Sequence, residues 1–584
     1  MRAVASIRRS AADRTSLGIR ADWERLLGYG PLPTVLHLAS LPLAFGFLLV
    51  IGRRQWFIAD EWKLLTDRVL TGQLDLLKPH NEHLLTVSIL VYKGLFSAFG
   101  LRTYLPYLAV AILFHVVTGH LLWRLMVQVG TSRWTATALA AAFLVSGGGA
   151  FNYFLAEQTS EVGSVMAGLA LILLVNYDDG GGRRRYLAAL AVALASLLFS
   201  GISVVMIAVA GMIVWLRRGL RPAVALVAPV AAVYLAWVVT AGKQAAGIHQ
   251  SPSGMLKMVP YVVNGLVGSV ATAIYVPAFA SAAVLAALVF MLVRRRSAAT
   301  TRAAPVFAMA VGAVLFFTVI GLGRVALFGV HQARDGRYVY VGWLLLLPAV
   351  GMALDHVLAR LDAVTRASAA LGLGVILTLQ GVWGTALESR IEDVREIGLR
   401  REVLAAASFI ATEPYLADVA VGPGDAEGLD AGELARLART DALPPLPALS
   451  ENAHLDAAVA LRVQVTAATA GQAPDTRGLE SQVSVSGAVP GDTGEGCVSL
   501  RPTGYRPEVE VSAVGPAPLR VSLASRGVLT LVMRSPTTGE VSRPLDIDLE
   551  PDREVMVEIA PGRATPVLVL PAAQTVELCN VRVR

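Results

Sequence analysis

The sequence predicts a polytopic α-helical membrane domain followed by a β-rich domain outside the membrane. Three observations predict it. From about residue 33 to 386 the chain is mostly apolar runs of 16 to 24 residues separated by short polar or basic breaks. The charges divide unevenly along the chain, with a basic first part and an acidic last part. After about residue 460 the apolar pattern shortens to alternation, the period of a strand. Only 16% of residues are charged, against about 25% in soluble domains. A soluble protein with many buried helices would not repeat near-uncharged runs of this length ten times over.

Residues 1–30 carry six Arg against three acidic residues. The first apolar run starts near Leu32 with no small-residue cleavage site after it, so 1–32 reads as a cytoplasmic arm and 33–52 as a retained span. A span needs about 20 apolar residues to cross about 30 Å of hydrocarbon. Further spans are expected at 104–127, 134–149, 159–177, 186–198, 201–216, 222–241, 277–293, 304–321, 338–358 and 367–386. The region 186–216 also reads as one broken span. The stretch 84–99 is a further apolar candidate, giving about 11–12 spans in 33–386.

Orientation follows from charge. With the N-terminus inside, every cluster of three Arg falls on the cytoplasmic side, as in Arg183–Arg184–Arg185 and Arg294–Arg295–Arg296. The loops 53–103, 150–158, 242–276 and 322–337 and the whole C-terminal tail then lie outside. This threading makes 84–99 an outer-face or re-entrant element. It also leaves Arg53, Arg54 and the arginines of 322–337 on the outer side, where they call for another reason to be there. Residues 388–584 hold 18 Arg, no Lys and 28 acidic residues, a net of −10, which leaves +17 for the remainder. The pI near 9.5 therefore describes the membrane part and implies no nucleic-acid partner.

Residues 387–455 read as a helical linker region, amphipathic at first. Residues 456–584 read as eight or nine short strands, among them SQVSVSG, CVSLRP, EVEVSAV, VLTLVMR and TVELCNVRV, and so as a β-sandwich of jelly-roll type. Its one aromatic residue, Tyr505, offers no sugar-stacking platform. The two cysteines, Cys497 and Cys579, both lie there. Outside the cytoplasm they are allowed to pair, closing a loop of about 80 residues that contributes ~4 kcal/mol. The alternative is two buried thiols in separate strands.

Ionisable side chains near a membrane are costly and point to function. The outer-side set contains Asp60, Glu61, Asp75, His80, Glu82, His83, Glu157, Glu161, Lys243, His249, Arg324, His331, Arg334, Asp335 and Arg337. Carboxylates together with basic groups suit one reaction class. A carboxylate takes the proton of an incoming hydroxyl, and Arg, Lys or His holds the phosphate of the leaving group. Plainer readings stand beside this one. Asp60 and Glu61 could cap a helix, the arginines could form a lipid-headgroup patch, and Glu157 and Glu161 could keep a loop out of the bilayer. His80 and His83 lack the spacing of HExxH, so a divalent metal is allowed but not required. No Walker A, GxGxxG after a strand, or GxSxG is present, so neither ATP-driven transport nor a serine hydrolase is supported.

Three segments together resemble the polyprenyl-phosphate-sugar-dependent glycosyltransferases of the GT-C superfamily, over roughly 33–386. They are Ala59–Asp60–Glu61 after the first span, Lys78–Pro79–His80–Asn81–Glu82–His83–Leu84–Leu85 before an apolar run, and Gly336–Arg337–Tyr338–Val339–Tyr340 heading a span. The acidic pair is DE here where the family carries DD or DxD. With its β-rich tail the chain is similar to the arabinosyltransferase type of actinobacterial cell-wall assembly. The resemblance implies Asp60 as general base with Glu61 as second choice, and a donor-phosphate clamp of Arg337, Arg324, Lys243 and His331. Glu157, His80, Glu82, His83 and Tyr338 follow as acceptor or supporting residues. It implies a polyprenyl-phosphate sugar donor, a cell-envelope glycan or glycolipid acceptor, lipid contacts, and a bacterial plasma-membrane location with the tail outside. Two other functions fit the composition: a non-catalytic glycan-binding or scaffolding protein, and a flippase for a lipid-linked sugar.

Overall fold

The computed structural model describes residues 30–583 except 72–74, 82, 178–181, 243–251, 274, 295–302, 413, 415–425, 427, 468–479, 495–496, 504–505, 515–518, 524–526, 551–553 and 572–573. The chain forms two compact units. The first comprises residues up to Gln55, Gln73–Leu95 and Tyr104–Val394; the second comprises Trp56–Gly72, Phe96–Thr103 and Arg395–Arg584.

The first unit is helical. Among the described residues seven helices are long and apolar enough to cross a membrane: Leu32–Arg54, Leu105–Gln128, Ala156–Val175, Leu220–Thr240, Ala304–Phe328, Gly336–Leu358 and Ala363–Thr412. This makes the protein a polytopic membrane protein. An eighth crossing arises if Arg133–Leu144 and Gly147–Phe154, bent by 53° at their junction, count as one span. Seven or eight of the expected eleven to twelve spans are thus matched by helices of full membrane length among the described residues. Arg183–Ser196 has 14 residues, Ile202–Arg218 17 and Ala278–Arg294 17. At 1.5 Å per residue they reach about 21 to 26 Å, against about 30 Å of hydrocarbon, with the two 17-residue helices at the lower end of spanning lengths. Thr86–Phe99 is also a 14-residue helix, about 21 Å long. Conversely, part of the expected outer loop 242–276 is the apolar helix Met258–Ala273, packed against the helices Ala304–Phe328 and Gly336–Leu358. Small residues permit this approach: a Cβ on Gly265 would stand 2.3 Å from the Phe317 ring.

The broken span is held open by side chains. Gly147–Gly149 forms a 3-10 turn between its two halves. A Cβ on Gly147 would come 2.6 Å from the Gly384 carbonyl carbon, and one on Gly149 2.7 Å from the Tyr340 ring, so no larger residue fits here. The break frees backbone carbonyls that hydrocarbon cannot solvate. His115 Nε2 bonds the Leu144 carbonyl at 3.0 Å, the Thr385 hydroxyl donates to Val145 O at 2.8 Å, and the Tyr153 hydroxyl donates to Ser146 O at 3.0 Å.

The second unit carries two six-stranded sheets. One has the order β1-β9-β6-β11-β4-β3, with β1 Val463–Ala467, β9 Glu554–Ile559, β6 Leu519–Leu523, β11 Val576–Cys579, β4 Cys497–Pro502 and β3 Ala488–Gly494. The other has the order β12-β2-β5-β10-β7-β8, with β12 Val581–Val583, β2 Ser481–Ser486, β5 Glu508–Ala513, β10 Thr565–Val569, β7 Gly527–Arg534 and β8 Leu545–Leu549. All described pairings are antiparallel except β12 with β2. The twelve strands exceed the eight or nine expected. β3 (AVPGDTG) and β8 (LDIDL) hide because both are sheet edges, where Pro, Gly and outward Asp are tolerated. The segment TVELCNVRV splits at Asn580, whose φ of 62° turns the chain from one sheet to the other. Cys497 and Cys579 are direct cross-strand partners joined by a disulfide.

The same unit takes in two parts of the loop after the first span, Trp56–Gly72 and Phe96–Thr103. The Trp56 N–H donates to the Glu396 carboxylate at 2.6 Å. Arg436 donates to Leu70 O at 3.4 Å, and the Arg102 guanidinium pairs with Asp441 at 2.8 Å.

Candidate functional site

The loop after the first span begins with three aromatic rings. Trp56, Phe57 and Trp62 pack edge to face with centroids 5.5 to 6.0 Å apart, and the Trp62 indole N–H donates to Phe57 O. This knot fixes Ala59 at φ 44° and ψ −121°, the conformation of the first central residue of a type II′ turn, where glycine is usual. The turn separates the two acids that follow it. Glu61 is fully buried, and its carboxylate accepts the Ile58 N–H at 3.1 Å. Asp60 is half-buried. The sequence could not separate the two. In the structure Glu61 closes the turn and Asp60 is the carboxylate nearer solvent.

A second group of charges converges within the first unit. Asp335 caps the helix Gly336–Leu358 by accepting the Arg337 N–H, and its carboxylate lies 3.5 Å from Arg337 Nε. Gln332 donates to the same carboxylate at 3.2 Å. The charges of Arg337, Asp335 and Arg324 all act on the Glu161 carboxylate, and Asn152 Nδ2 donates to it at 3.4 Å. The Arg337 guanidinium stands 5.0 Å from the centre of the buried Tyr338 ring. The helix broken at Gly147–Gly149 supplies Asn152. Tyr261 feels the charges of Arg324, Asp335 and Arg337; it is fully buried, and its hydroxyl has no hydrogen-bond partner among the described residues. A buried phenol without a partner in the field of two guanidinia can donate to an acceptor.

The structure therefore brings Arg337, Arg324 and Tyr338 together, and adds Glu161, Asn152, Asp335 and Tyr261. Glu161 stood in the outer-side set only as a charge that could keep a loop out of the bilayer. Asn152 and Tyr261 carried no sequence signal beyond being polar groups in apolar surroundings. His331 is exposed in the turn Val330–Arg334. Glu157 is buried in the 3-10 turn Ala156–Gln158, just before the helix that carries Glu161. Lys243 and Glu82 lie outside the described residues. His80 and His83 face each other across a two-residue turn, exchanging backbone hydrogen bonds of 3.0 and 3.1 Å, with Asn81 at φ 51°.

A divalent metal remains chemically allowed. Among the described residues one group of metal-type donors occurs, Cys497, Glu577 and Cys579, with ligand atoms within 4.8 Å of one another. While the disulfide stands, its sulfurs carry no thiolate charge, and Glu577 alone is a weak ligand. The histidine pair gains no third His, Cys, Asp or Glu among the described residues.

No family model matches the chain, and no curated protein matches it. Among solved structures, ArnT from Cupriavidus metallidurans bound to undecaprenyl phosphate aligns with a TM-score of 0.42 at 14% identity, covering 71% of this chain and 90% of that one. The same protein in the apo state aligns with a TM-score of 0.43 at 15% identity, covering 64% and 80%. At these scores the likeness assigns neither fold nor activity to this chain.

Proposed function

We propose that the protein transfers a sugar from a polyprenyl-phosphate donor to a cell-envelope glycan on the outer face of a bacterial plasma membrane, as a GT-C-type glycosyltransferase. The observation that carries the reading is the group around Glu161. Two guanidinia, Arg324 and Arg337, act on both Glu161 and the buried Tyr261, with Asp335 as a second carboxylate in the group. Such a set can hold a lipid phosphate and stabilise the charge that develops on it as the glycosidic bond breaks. Arg324 and Arg337 are the clamp, and Tyr261 is a neutral donor to a phosphate oxygen.

Asp60 is the base that takes the proton of the acceptor hydroxyl, by direct displacement with inversion. Glu61 holds the turn that presents it. Lys243, His331, Glu157, His80, Glu82, His83 and Tyr338 remain in the proposal as supporting groups for donor or acceptor. The disulfide favours an oxidising compartment for the C-terminal unit, in keeping with its acidic charge and the basic remainder.

Reconstituted protein with a labelled polyprenyl-phosphate sugar and envelope glycan tests this. Asp60→Asn is expected to abolish transfer while the donor still binds. Arg337→Gln is expected to cost about 10²- to 10³-fold in transfer rate. Unchanged transfer by Asp60→Asn sinks the base assignment. Movement of the lipid-linked sugar across vesicles without transfer would favour the flippase.

A further inference from the structure

We propose that Arg53, Arg54 and Arg390 form a binding site for a phosphate-bearing lipid headgroup at the membrane surface, made by helices other than those of the Glu161 group. An open cavity of about 290 Å³ lies between the end of the first span and the helix Ala363–Thr412. Its apolar part is Val50, Ile51 and Ala386, the last residues of two apolar segments. Its polar part is Arg53, Arg54, Arg390 and Asp393. Apolar below and cationic above is the anatomy of a lipid at the interface. The Ser389 hydroxyl, 3.4 Å from Ile51 O, ties the two helices together at this level.

Charge sets the sign of the ligand. Asp393 feels both Arg54 and Arg53, yet one carboxylate faces three guanidinia, so the cavity holds an excess of two positive charges. Arg53 spends one donor on Val50 O at 3.0 Å, and all three guanidinia are exposed. Arginines beside an apolar surface need an anion, and an anionic headgroup supplies one. The lipid-facing side of the same helix carries Trp383, 63% exposed and two turns before Arg390, where interfacial Trp is usual. These arginines also lie on the side where the threading of spans leaves basic residues unexplained, and lipid binding gives them a reason.

The phosphate can come from a bilayer phospholipid or from a polyprenyl phosphate, and titrations of the detergent-purified full chain separate the two. Phosphatidylglycerol is expected to bind and phosphatidylcholine not to. Each arginine replaced should weaken phosphatidylglycerol about 5-fold, so that R53Q/R54Q/R390Q loses roughly 100-fold. Asp393→Asn should bind it more tightly, a gain that misfolding does not produce. If polyprenyl monophosphate binds the triple variant as well as the wild type, the site belongs to bilayer lipid. If both lipids weaken together, the site takes either. Wild-type affinity of the triple variant for phosphatidylglycerol, or equal binding of phosphatidylcholine, overturns the proposal. These readouts need no sugar transfer, so they stand or fall separately from the proposed activity.

Discussion

At the scale of single residues, the turn Ile58–Glu61 has the most to say. Ala59 holds a backbone conformation usually left to glycine, and such positions store about 1 to 3 kcal/mol. Ala59→Gly is expected to stabilise the protein by about 1 kcal/mol, read as a higher midpoint in thermal unfolding. A lower midpoint would mean that the alanine methyl makes packing worth more than the strain. The two neighbouring acids should behave differently. Glu61→Ala leaves the Ile58 N–H buried and unpaired, which costs about 1 to 3 kcal/mol. Asp60→Asn should leave unfolding where it was. The acidic pair was legible in the sequence as a pair. Which member points inward was not, because that depends on a backbone angle that an alanine rarely adopts.

At the scale of elements, polar groups inside the membrane unit have identifiable tasks. The Leu144 carbonyl can only accept, so His115 carries its proton on Nε2, and its Nδ1 accepts from the Tyr340 hydroxyl at 3.0 Å. His115→Leu removes the partner of a carbonyl exposed by the break in the helix, and should cost about 1 to 3 kcal/mol in detergent unfolding. A neutral result would show that water fills the gap.

The helix Ala363–Thr412 starts at Asp362, whose carboxylate accepts from the Thr365 hydroxyl and from the Val364 and Thr365 N–H groups. Those bonds, the Thr365 hydroxyl foremost, hold the carboxyl below its ordinary value of 3.8. A depressed folded-state value means the cap is fully present above the ordinary carboxylate range and lost as pH falls through the folded value. Hydrogen exchange at Val364 and Thr365 should therefore show weakened protection only in acid, and Asp362→Asn should flatten that dependence.

In the sheets, replacing Cys497 and Cys579 by Ser opens a loop of 82 residues, and the chain-entropy relation gives a loss of about 4 kcal/mol. Chemical unfolding of the protein with and without a dithiol checks this. Alternation revealed the inner strands, such as VLTLVMR, but not β3 or β8. β3 looks like a loop because Pro490, Gly491, Asp492 and Gly494 interrupt it, whereas β8 (LDIDL) does alternate, with Ile547 and Leu549 buried.

At the scale of the molecule, the seven long apolar helices were legible because hydrocarbon demands about 20 apolar residues in a row. The shorter helices read as spans for the same reason, although an apolar run tells of burial, whether in lipid or in protein. The arginines of 324 and 337 stood out as charges near apolar runs. Their partner Glu161 was one acid among many until folding brought four segments together.

The membership of residues 56–72 in the C-terminal unit had no sequence signal, since it rests on single contacts such as that of Trp56 with Glu396. That contact joins residues 340 positions apart. A ribosome adding about 5 to 20 residues per second completes the second partner roughly 20 to 70 seconds after the first. The helices of the membrane unit emerge in that interval, while the segment bearing Asp60 still lacks the domain it folds with. Asp60 thus reaches its final setting near the end of synthesis, and a chain cut short before residue 395 would carry the arginines of 324 and 337 but an unfinished acid.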